Sequence, residues 1–157
     1  MGLSKHYIDT QREAHEFSPE RLAVELRARV PGIIFAYVMG SSAGCVVRPH
    51  GDLDLAVYIE GEPSLELYET VQEVVDEVVG PVRCDLGILN RAEPIFRFEA
   101  LKGRLLFSRD EELRISFYSL TCREYEHQMF DYEKQRRYRM EARKSRRTEP
   151  HQEEHGA

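Results

Sequence analysis

The feature that most constrains this chain is a pair of short motifs separated by ten residues. Gly40-Ser41 directly follows the apolar run IIFAYVM, and Asp52-x-Asp54 opens the alternating run LDLAVYI. A short apolar run rich in β-branched and aromatic residues is typical of a strand buried on both faces, whereas alternation is typical of a strand with one buried face. The pattern therefore predicts two sheet strands joined by a loop, with a glycine leaving the first and two aspartates entering the second.

The aspartates have the arrangement of a divalent-metal site. Residues two apart on a strand point to the same side, so Asp52 and Asp54 can present both carboxylates to one point. A third carboxylate, Asp85, lies in a later alternating stretch and faces away from its apolar residues. Mg²⁺ prefers oxygen ligands and retains several waters, and two such ions can serve an in-line displacement at phosphorus. Asp52, Asp54 and Asp85 are therefore the candidate ligands of two Mg²⁺ ions and the candidate catalytic residues.

The loop between the motifs has the composition of a phosphate-binding loop. A glycine at the end of a buried strand lets the backbone turn tightly, and the small residues after it can open a helical turn whose N–H groups face an anion. We therefore expect Gly40, Ser41, Ser42 and Arg48 to hold the phosphates of a nucleotide, and the sequence assigns no role to His50. The alternative is that the two aspartates are turn residues and that the third is an ordinary surface carboxylate.

The rest of the chain predicts a small α/β (α+β) domain in which helices flank a sheet. We expect helices over about residues 19–29, 64–79, 92–102 and 110–143, and strands over 33–39, 53–59, 82–89 and 104–107. In the last helix, the candidate core contacts are Leu113, Phe117, Leu120, Tyr125, Met129 and Tyr132. The predicted organisation is an N-terminal extension over 1–17, a domain with its C-terminal helix over 18–143, and a polar, disordered tail over 144–157.

Charge and cysteine usage limit the class of protein. The net charge is −6, but residues 134–147 hold eight Lys or Arg and one acidic residue, a net of +7 that leaves −13 elsewhere. An acidic body argues against direct nucleic-acid binding, while the basic segment fits a solvated helix face, an RNA or an acidic partner. Three scattered cysteines indicate reduced thiols. With no apolar run of about 20 residues and no signal-like start, we expect a cytoplasmic protein that does not enter a membrane.

The run MGSSAGCVVRPHGDLDLAV resembles the signature of the DNA polymerase β-like nucleotidyltransferases. Within that superfamily the chain is similar to the minimal nucleotidyltransferase (MNT) antitoxins of HEPN/MNT toxin–antitoxin pairs. The similarity continues through CDLGILNRAEPIFRFEALKGRLLFSRDEE and covers roughly residues 20–140. It implies the small mixed sheet of that superfamily and a hetero-oligomer with a HEPN ribonuclease toxin.

The resemblance also implies an activity. MNT antitoxins of this kind are Mg-ATP-dependent adenylyltransferases that transfer AMP to a tyrosine of the toxin and silence it. Carried over by position, Gly40 and Ser41 hold the triphosphate, Asp52 and Asp54 hold the metal ions, and Asp85 completes the metal site and helps to deprotonate the attacking tyrosine.

The chain departs from the family pattern inside the loop, where Cys45 and Gly51 stand at positions that commonly hold Gly and Ser. We expect Gly44 to take over the backbone role one residue early. Two other functions stay open: an antitoxin that blocks the HEPN partner by binding alone, and a nucleotidyltransferase that acts on a small molecule or an RNA end. The short chain argues against the last, because little remains beyond the core to form a substrate domain.

Overall fold

The centre of the molecule is a four-stranded mixed sheet in the computed structural model, which describes residues 13–148. The strand order is β5–β4–β2–β6; β4 and β5 are parallel, and the other neighbours are antiparallel. In chain order the elements are β1 His15–Glu16, α1 Pro19–Arg29, β2 Ile33–Met39, a 3₁₀ turn Gly40–Gly44, β3 Val46–Val47, β4 Leu53–Ile59, α2 Leu65–Val78, β5 Cys84–Ile88, a 3₁₀ turn Leu89–Arg91, α3 Pro94–Leu101, β6 Arg104–Ser108 and α4 Glu111–Thr148.

The predicted fold class is confirmed, and most boundaries lie within two residues of the prediction. Helix α1 begins as its sequence indicates: the Ser18 hydroxyl accepts the Arg21 N–H at 3.1 Å and Pro19 occupies the first turn. Helix α2 is capped in the same way by Ser64, whose hydroxyl accepts the Leu67 N–H at 3.2 Å. Strand β6 lies at one edge of the sheet, as its short apolar run predicts.

Each face of the sheet is covered by a different pair of helices. Helices α1 and α2 cover one face through residues such as Leu22, Leu26 and Val74, which pack against the alternate residues of β4 that begin with Leu53. Helices α3 and α4 pack on the other face, where Phe35, Tyr58 and Phe117 form an aromatic cluster. The sheet therefore separates two cores, and the polar side chains of β4 and β5 belong to the α3–α4 side.

Part of the predicted N-terminal extension packs onto the domain. His15 and Glu16 pair antiparallel with β3, and Phe17 is buried in the core beside α1 and α2. The main-chain N–H of Phe17 also donates to the carbonyl of Cys45 at 3.1 Å. Residues 1–12 lie outside the described residues, so the remainder of the predicted extension is untested.

Helix α4 is longer than expected and leaves the body of the protein. Phe117 is buried, and Leu113, Tyr125 and Met129 are half-buried, whereas Leu120 and Tyr132 are exposed; the prediction that these two contact the core was wrong. The helix continues to Thr148, so the first five residues of the predicted disordered tail are helical, and 149–157 lie outside the described residues. None of the helices within 13–148 has both the length and the apolar character needed to cross a membrane.

Candidate active site

The candidate carboxylates form one row across two neighbouring strands. Asp54 of β4 and Asp85 of β5 are direct partners in the parallel ladder, and Met39 of β2 pairs with Asp54 from the other side. Paired residues project from the same face of a sheet, and Asp52 precedes Asp54 by two residues. Asp54 is half-buried, and Asp52 and Asp85 are exposed. The structure thus brings the three predicted carboxylates to one end of the α3–α4 face.

The predicted phosphate loop lies directly against this row. Gly40 has φ +63°, and a Cβ built on it would lie 2.9 Å from Oδ2 of Asp54. Both observations require glycine, because a side chain would be strained in this conformation and would displace the carboxylate. The 3₁₀ turn Gly40–Gly44 therefore begins in contact with the carboxylate row, with Ser41 exposed at its surface.

Ser42 has a different environment from that expected of a phosphate ligand. It is fully buried, and its hydroxyl donates to the main-chain carbonyl of Asp52 at 3.1 Å. The serine thus ties the loop to the start of β4. Its hydroxyl is turned into the protein, so Ser41, which is exposed on the same turn, is the serine that the structure leaves open to a ligand.

The expectation that Gly44 replaces the family glycine one residue early was wrong. Cys45 itself has φ +66°, whereas the φ of Gly44 is not positive. The backbone at Cys45 therefore keeps the left-handed conformation that glycine adopts easily, and a residue with a Cβ bears the strain, which costs about 1–2 kcal/mol.

His50 lies in a tight turn. The N–H of Gly51 donates to the carbonyl of Arg48 at 2.8 Å, which closes a tight turn with Pro49 and His50 at its centre. His50 has φ +61°, and proline before a positive φ is the pattern of a type II turn. A Cβ on Gly51 would lie 3.0 Å from that same carbonyl, so the turn is tight for a serine here. Arg48 is exposed on this turn.

The carboxylate row concentrates negative charge. Burial raises the pKa of Asp54, and repulsion from Asp85 and then from Asp52 raises it further. Cys84 projects to the opposite face and has its pKa raised to about 12, first by burial and then by the same aspartates. Its thiol is therefore protonated at neutral pH and is not a nucleophile.

The donor set at this row fits a divalent cation by its chemistry. Three carboxylates share one face, and after burial it is repulsion from Asp85 and Asp52 that raises the pKa of Asp54. Within residues 13–148, no three His, Cys, Asp or Glu side chains are grouped closely enough to enclose an ion by themselves. Mg²⁺ needs only one or two carboxylates when waters and substrate phosphates complete its shell.

A glutamine on α2, which the sequence gave no reason to assign to the site, holds β5 in place. The Gln72 amide donates to the carbonyl of Val82 and accepts the N–H of Cys84, both at 2.9 Å. It thus fixes the residue next to Asp85. The available signal was a polar residue inside the apolar stripe of α2, directly after the buried Val71.

Helix α3 crosses the sheet behind the carboxylate row. Two residues beyond the paired Asp54 and Asp85, the same face carries the paired Ala56 and Gly87. A Cβ on Gly87 would collide with the ring of Phe96 from α3. Just past the end of α3, Gly103 packs against the main chain of Val38 and Met39. Glycine inside a strand often marks a close approach of this kind, and that signal pointed to Gly87.

One cavity among the described residues lies away from the carboxylate row. It has a volume of about 260 Å³ and is lined by residues such as Pro31, Ile59 and Glu62 at the opposite end of β4. Asp54 and Ile59 are five positions apart along the strand, a distance of roughly 17 Å. Three glutamates and one arginine line this cavity, which gives it little attraction for phosphate. The candidate site is therefore the open carboxylate row.

Comparisons with known proteins agree with this geometry. The model of the family "Polymerase beta, Nucleotidyltransferase" matches residues 23–112, which include the loop, the carboxylate row and all four strands of the central sheet. No curated protein matches the chain.

Several solved structures share the fold. A chain from a mutant of the toxin-antitoxin MntA-HpeT has a TM-score of 0.63 at 17% identity, with 78% of this chain and 98% of that chain covered. A chain from the tri-AMPylated Shewanella oneidensis HEPN toxin in complex with MNT antitoxin has a TM-score of 0.58 at 18% identity, covering 78% and 95%. A chain from a toxin-antitoxin structure with AMP-PNP has a TM-score of 0.61 at 19% identity, covering 78% and 98%.

The family match spans more than half of the chain, and the similar structures share its fold across most of their own length. The matched segment also contains both halves of the site, the glycine that contacts Asp54 and the paired carboxylates of β4 and β5. The chain therefore belongs to the Polymerase beta nucleotidyltransferase family.

Proposed function

We propose that this protein is an MNT-type antitoxin that uses ATP and Mg²⁺ to transfer AMP to a tyrosine of a HEPN ribonuclease toxin, and so neutralises the toxin. The observation that carries the proposal is the carboxylate row of Asp52, Asp54 and Asp85 in contact with the loop that begins at Gly40. A polyphosphate-binding loop beside paired carboxylates is the arrangement that nucleotidyl transfer requires.

The solved structures support the partner and the substrate. One of the similar chains comes from a tri-AMPylated HEPN toxin in complex with MNT antitoxin, one from a toxin–antitoxin mutant, and another from a toxin–antitoxin structure with AMP-PNP. This chain covers 95% or more of each of those chains. The shared fold therefore extends over nearly all of each matching chain, which supports a similar partner and a similar nucleotide substrate.

The transfer is a displacement at the α-phosphorus of ATP. The phenol oxygen of the acceptor tyrosine forms a bond to that phosphorus, the bond to the oxygen bridging to the β-phosphate breaks, and pyrophosphate leaves with the electron pair. A phenol with a pKa of about 10 is a weak nucleophile at neutral pH, so its proton must be removed. We assign Asp85, which is exposed on β5, to accept this proton. Ser41 and Arg48 are assigned to bind the departing phosphates.

The metal requirement follows from the same residues. We assign Mg²⁺ to Asp52, Asp54 and Asp85, with two ions expected, because these carboxylates repel one another unless a cation is present. When bound, Mg²⁺ neutralises phosphate charge and lowers the pKa of an attacking hydroxyl. The half-buried carboxylate of Asp54, held against Gly40, is the fixed member of the set.

The proposal is tested by incubating the chain with ATP labelled at the α-phosphate, Mg²⁺ and a HEPN ribonuclease. Label is expected on a tyrosine of the toxin, together with loss of its ribonuclease activity. Asp52→Asn and Asp54→Asn should each abolish labelling. Asp131→Asn is the matched control, because Asp131 is exposed on α4 and its recorded contact is His127 at 3.7 Å.

The same experiment separates the two other functions. A toxin that is inhibited but never labelled would make the chain an antitoxin that acts by binding alone. Label on RNA or on a small molecule in place of the toxin would make it a nucleotidyltransferase of another class. Either result defeats the proposal.

A further inference from the structure

One exposed aromatic side chain stands beside the carboxylate row. Phe96, near the start of α3, lies over Gly87, which is two residues beyond Asp85 on the same face of β5. Its side chain remains 36% exposed. The other phenylalanine of α3, Phe98, is occupied, because its ring stacks on Tyr125 at 3.8 Å between centroids. Phe96 is therefore the ring of α3 that is free to meet a ligand.

The strand order gives the site two sides. The phosphate loop follows β2 and contacts Asp54 from that side, whereas Asp85 lies on β5, on the far side of β4. In an in-line displacement, the nucleophile and the leaving group lie on opposite sides of the phosphorus. Because the loop is assigned to the departing phosphates, the acceptor must approach from the β5 side, where Phe96 is the neighbouring aromatic ring.

We propose that Phe96 contacts the aromatic ring of the acceptor tyrosine and orients its hydroxyl toward Asp85. This inference rests on the proposed function. Aromatic rings attract one another in offset or edge-to-face arrangements. The missing side chain of Gly87 lets the Phe96 ring pack directly on β5, two residues beyond Asp85. A ring in this position is a positioning element, and the proton is removed by the carboxylate.

The test measures transfer kinetics with the HEPN partner while the concentrations of acceptor and ATP are varied separately. Phe96→Leu is expected to lower kcat/KM for the acceptor by about three- to tenfold, which is the range expected for the loss of one aromatic pair. The KM for ATP should stay unchanged. Phe96→Tyr keeps the ring and should stay near the native rate, and Phe96→Met tests the same loss with a more adaptable side chain.

Tyr68→Leu is the matched control, because Tyr68 is 42% exposed on α2, which covers the opposite face of the sheet. Unchanged acceptor kinetics in both Phe96→Leu and Phe96→Met would overturn the assignment. An increase in the KM for ATP alone would also overturn it, because it would show that Phe96 contacts the adenine base and not the acceptor. A native chain that labels no toxin defeats the proposed function and this inference together. Normal native labelling with insensitive Phe96 variants defeats this inference alone.

Discussion

The two faces of strand β4 contrast within a single run of seven residues. On one face, Leu53, Leu55 and Val57 are buried against α1 and α2, where apolar burial stabilises the fold. On the other, Asp54 stands beside Asp85 and is destabilised by burial and by like charge. The strand therefore gains its stability from one face and presents the proposed catalytic carboxylate, Asp54, on the other. Because neighbouring residues have opposite roles, substitutions one position apart should separate stability from activity.

The largest expected effect is on chemistry. Asp54→Asn should lower AMP transfer about a thousandfold, since the loss of a carboxylate at the metal-binding row removes several kcal/mol of transition-state stabilisation. The variant should unfold at a temperature equal to or above that of the native chain, because the like-charge repulsion is removed. Initial rates and thermal melts in metal-free buffer measure the two effects. A variant that loses activity by unfolding would remove the contrast between the faces.

The adjacent residue should behave in the opposite way. Leu55→Ala removes a side chain that is 1% exposed and should lower the free energy of unfolding by about 2–5 kcal/mol. Denaturant unfolding measures the loss. At temperatures where the variant is still folded, the transfer rate should remain within a few-fold of the native rate. A loss of transfer as large as that of Asp54→Asn in folded protein would show that the core face also determines the chemistry.

The glycine that contacts the carboxylate should combine both effects. Gly40→Ala places a Cβ against Asp54 in a left-handed conformation, so we expect a loss of about 1–2 kcal/mol from the backbone alone. Transfer should also fall, because the carboxylate is displaced. Gly44→Ala is the control, since a Cβ there meets nothing within 4 Å and φ is not positive. Equal effects of the two substitutions would contradict the close approach.

A smaller effect should appear at the strained loop residue. Cys45→Gly should raise the free energy of unfolding by about 1 kcal/mol, because glycine adopts φ +66° without the penalty of a Cβ. The greater entropy of glycine in the unfolded chain offsets part of this gain. Transfer should be unchanged, since the course of the loop is the same. Chemical denaturation compares the two chains, and a destabilised Cys45→Gly would mean that the packing of the thiol outweighs the strain.

The smallest effect is a dependence on pH. The folded pKa of Asp54 is raised above its unfolded value, so the folded state binds the proton more tightly. The native chain therefore loses stability as pH rises from the ordinary carboxyl pKa through the raised pKa of the folded state. The gap in melting temperature between Asp54→Asn and the native chain should vanish at pH below the ordinary carboxyl pKa and widen toward neutrality. Mg²⁺ should narrow the gap by stabilising only the native chain. A gap independent of pH would assign the stabilisation to packing.

The parts of the fold that could be predicted are those that local periodicity determines. The buried run of β2, the alternation of β4 and the capped start of α1 each contain their own signal, and the three aspartates followed from side-chain direction along a strand. Strand β1 could not be predicted, because two residues carry no period, and its pairing with β3 depends on contacts across thirty residues of chain.

The site details that were missed depend on tertiary contacts. The burial of the Ser42 hydroxyl against Asp52 requires the loop to fold back on β4, and sequence spacing alone does not show which of two adjacent serines turns inward. The positive φ of Cys45 likewise contradicts the residue's own preference and is imposed by the structure around the loop. In α4, the helical period predicted a longer row of core contacts than exists, since period alone does not reveal where the body of the protein ends.

The exposed C-terminal part of α4 makes the charge distribution of the molecule asymmetric. From Asp131 to Thr148, α4 is exposed on all sides and extends about 27 Å beyond its last half-buried turn. It contains all of residues 134–147, whose net charge is +7, whereas residues 13–130 sum to −9. The chain is therefore a large electric dipole, and a dipole turns in the field of a charged partner before contact. The exposed part of α4 would therefore orient the chain electrostatically, so that this helix faces an acidic partner before the two make contact.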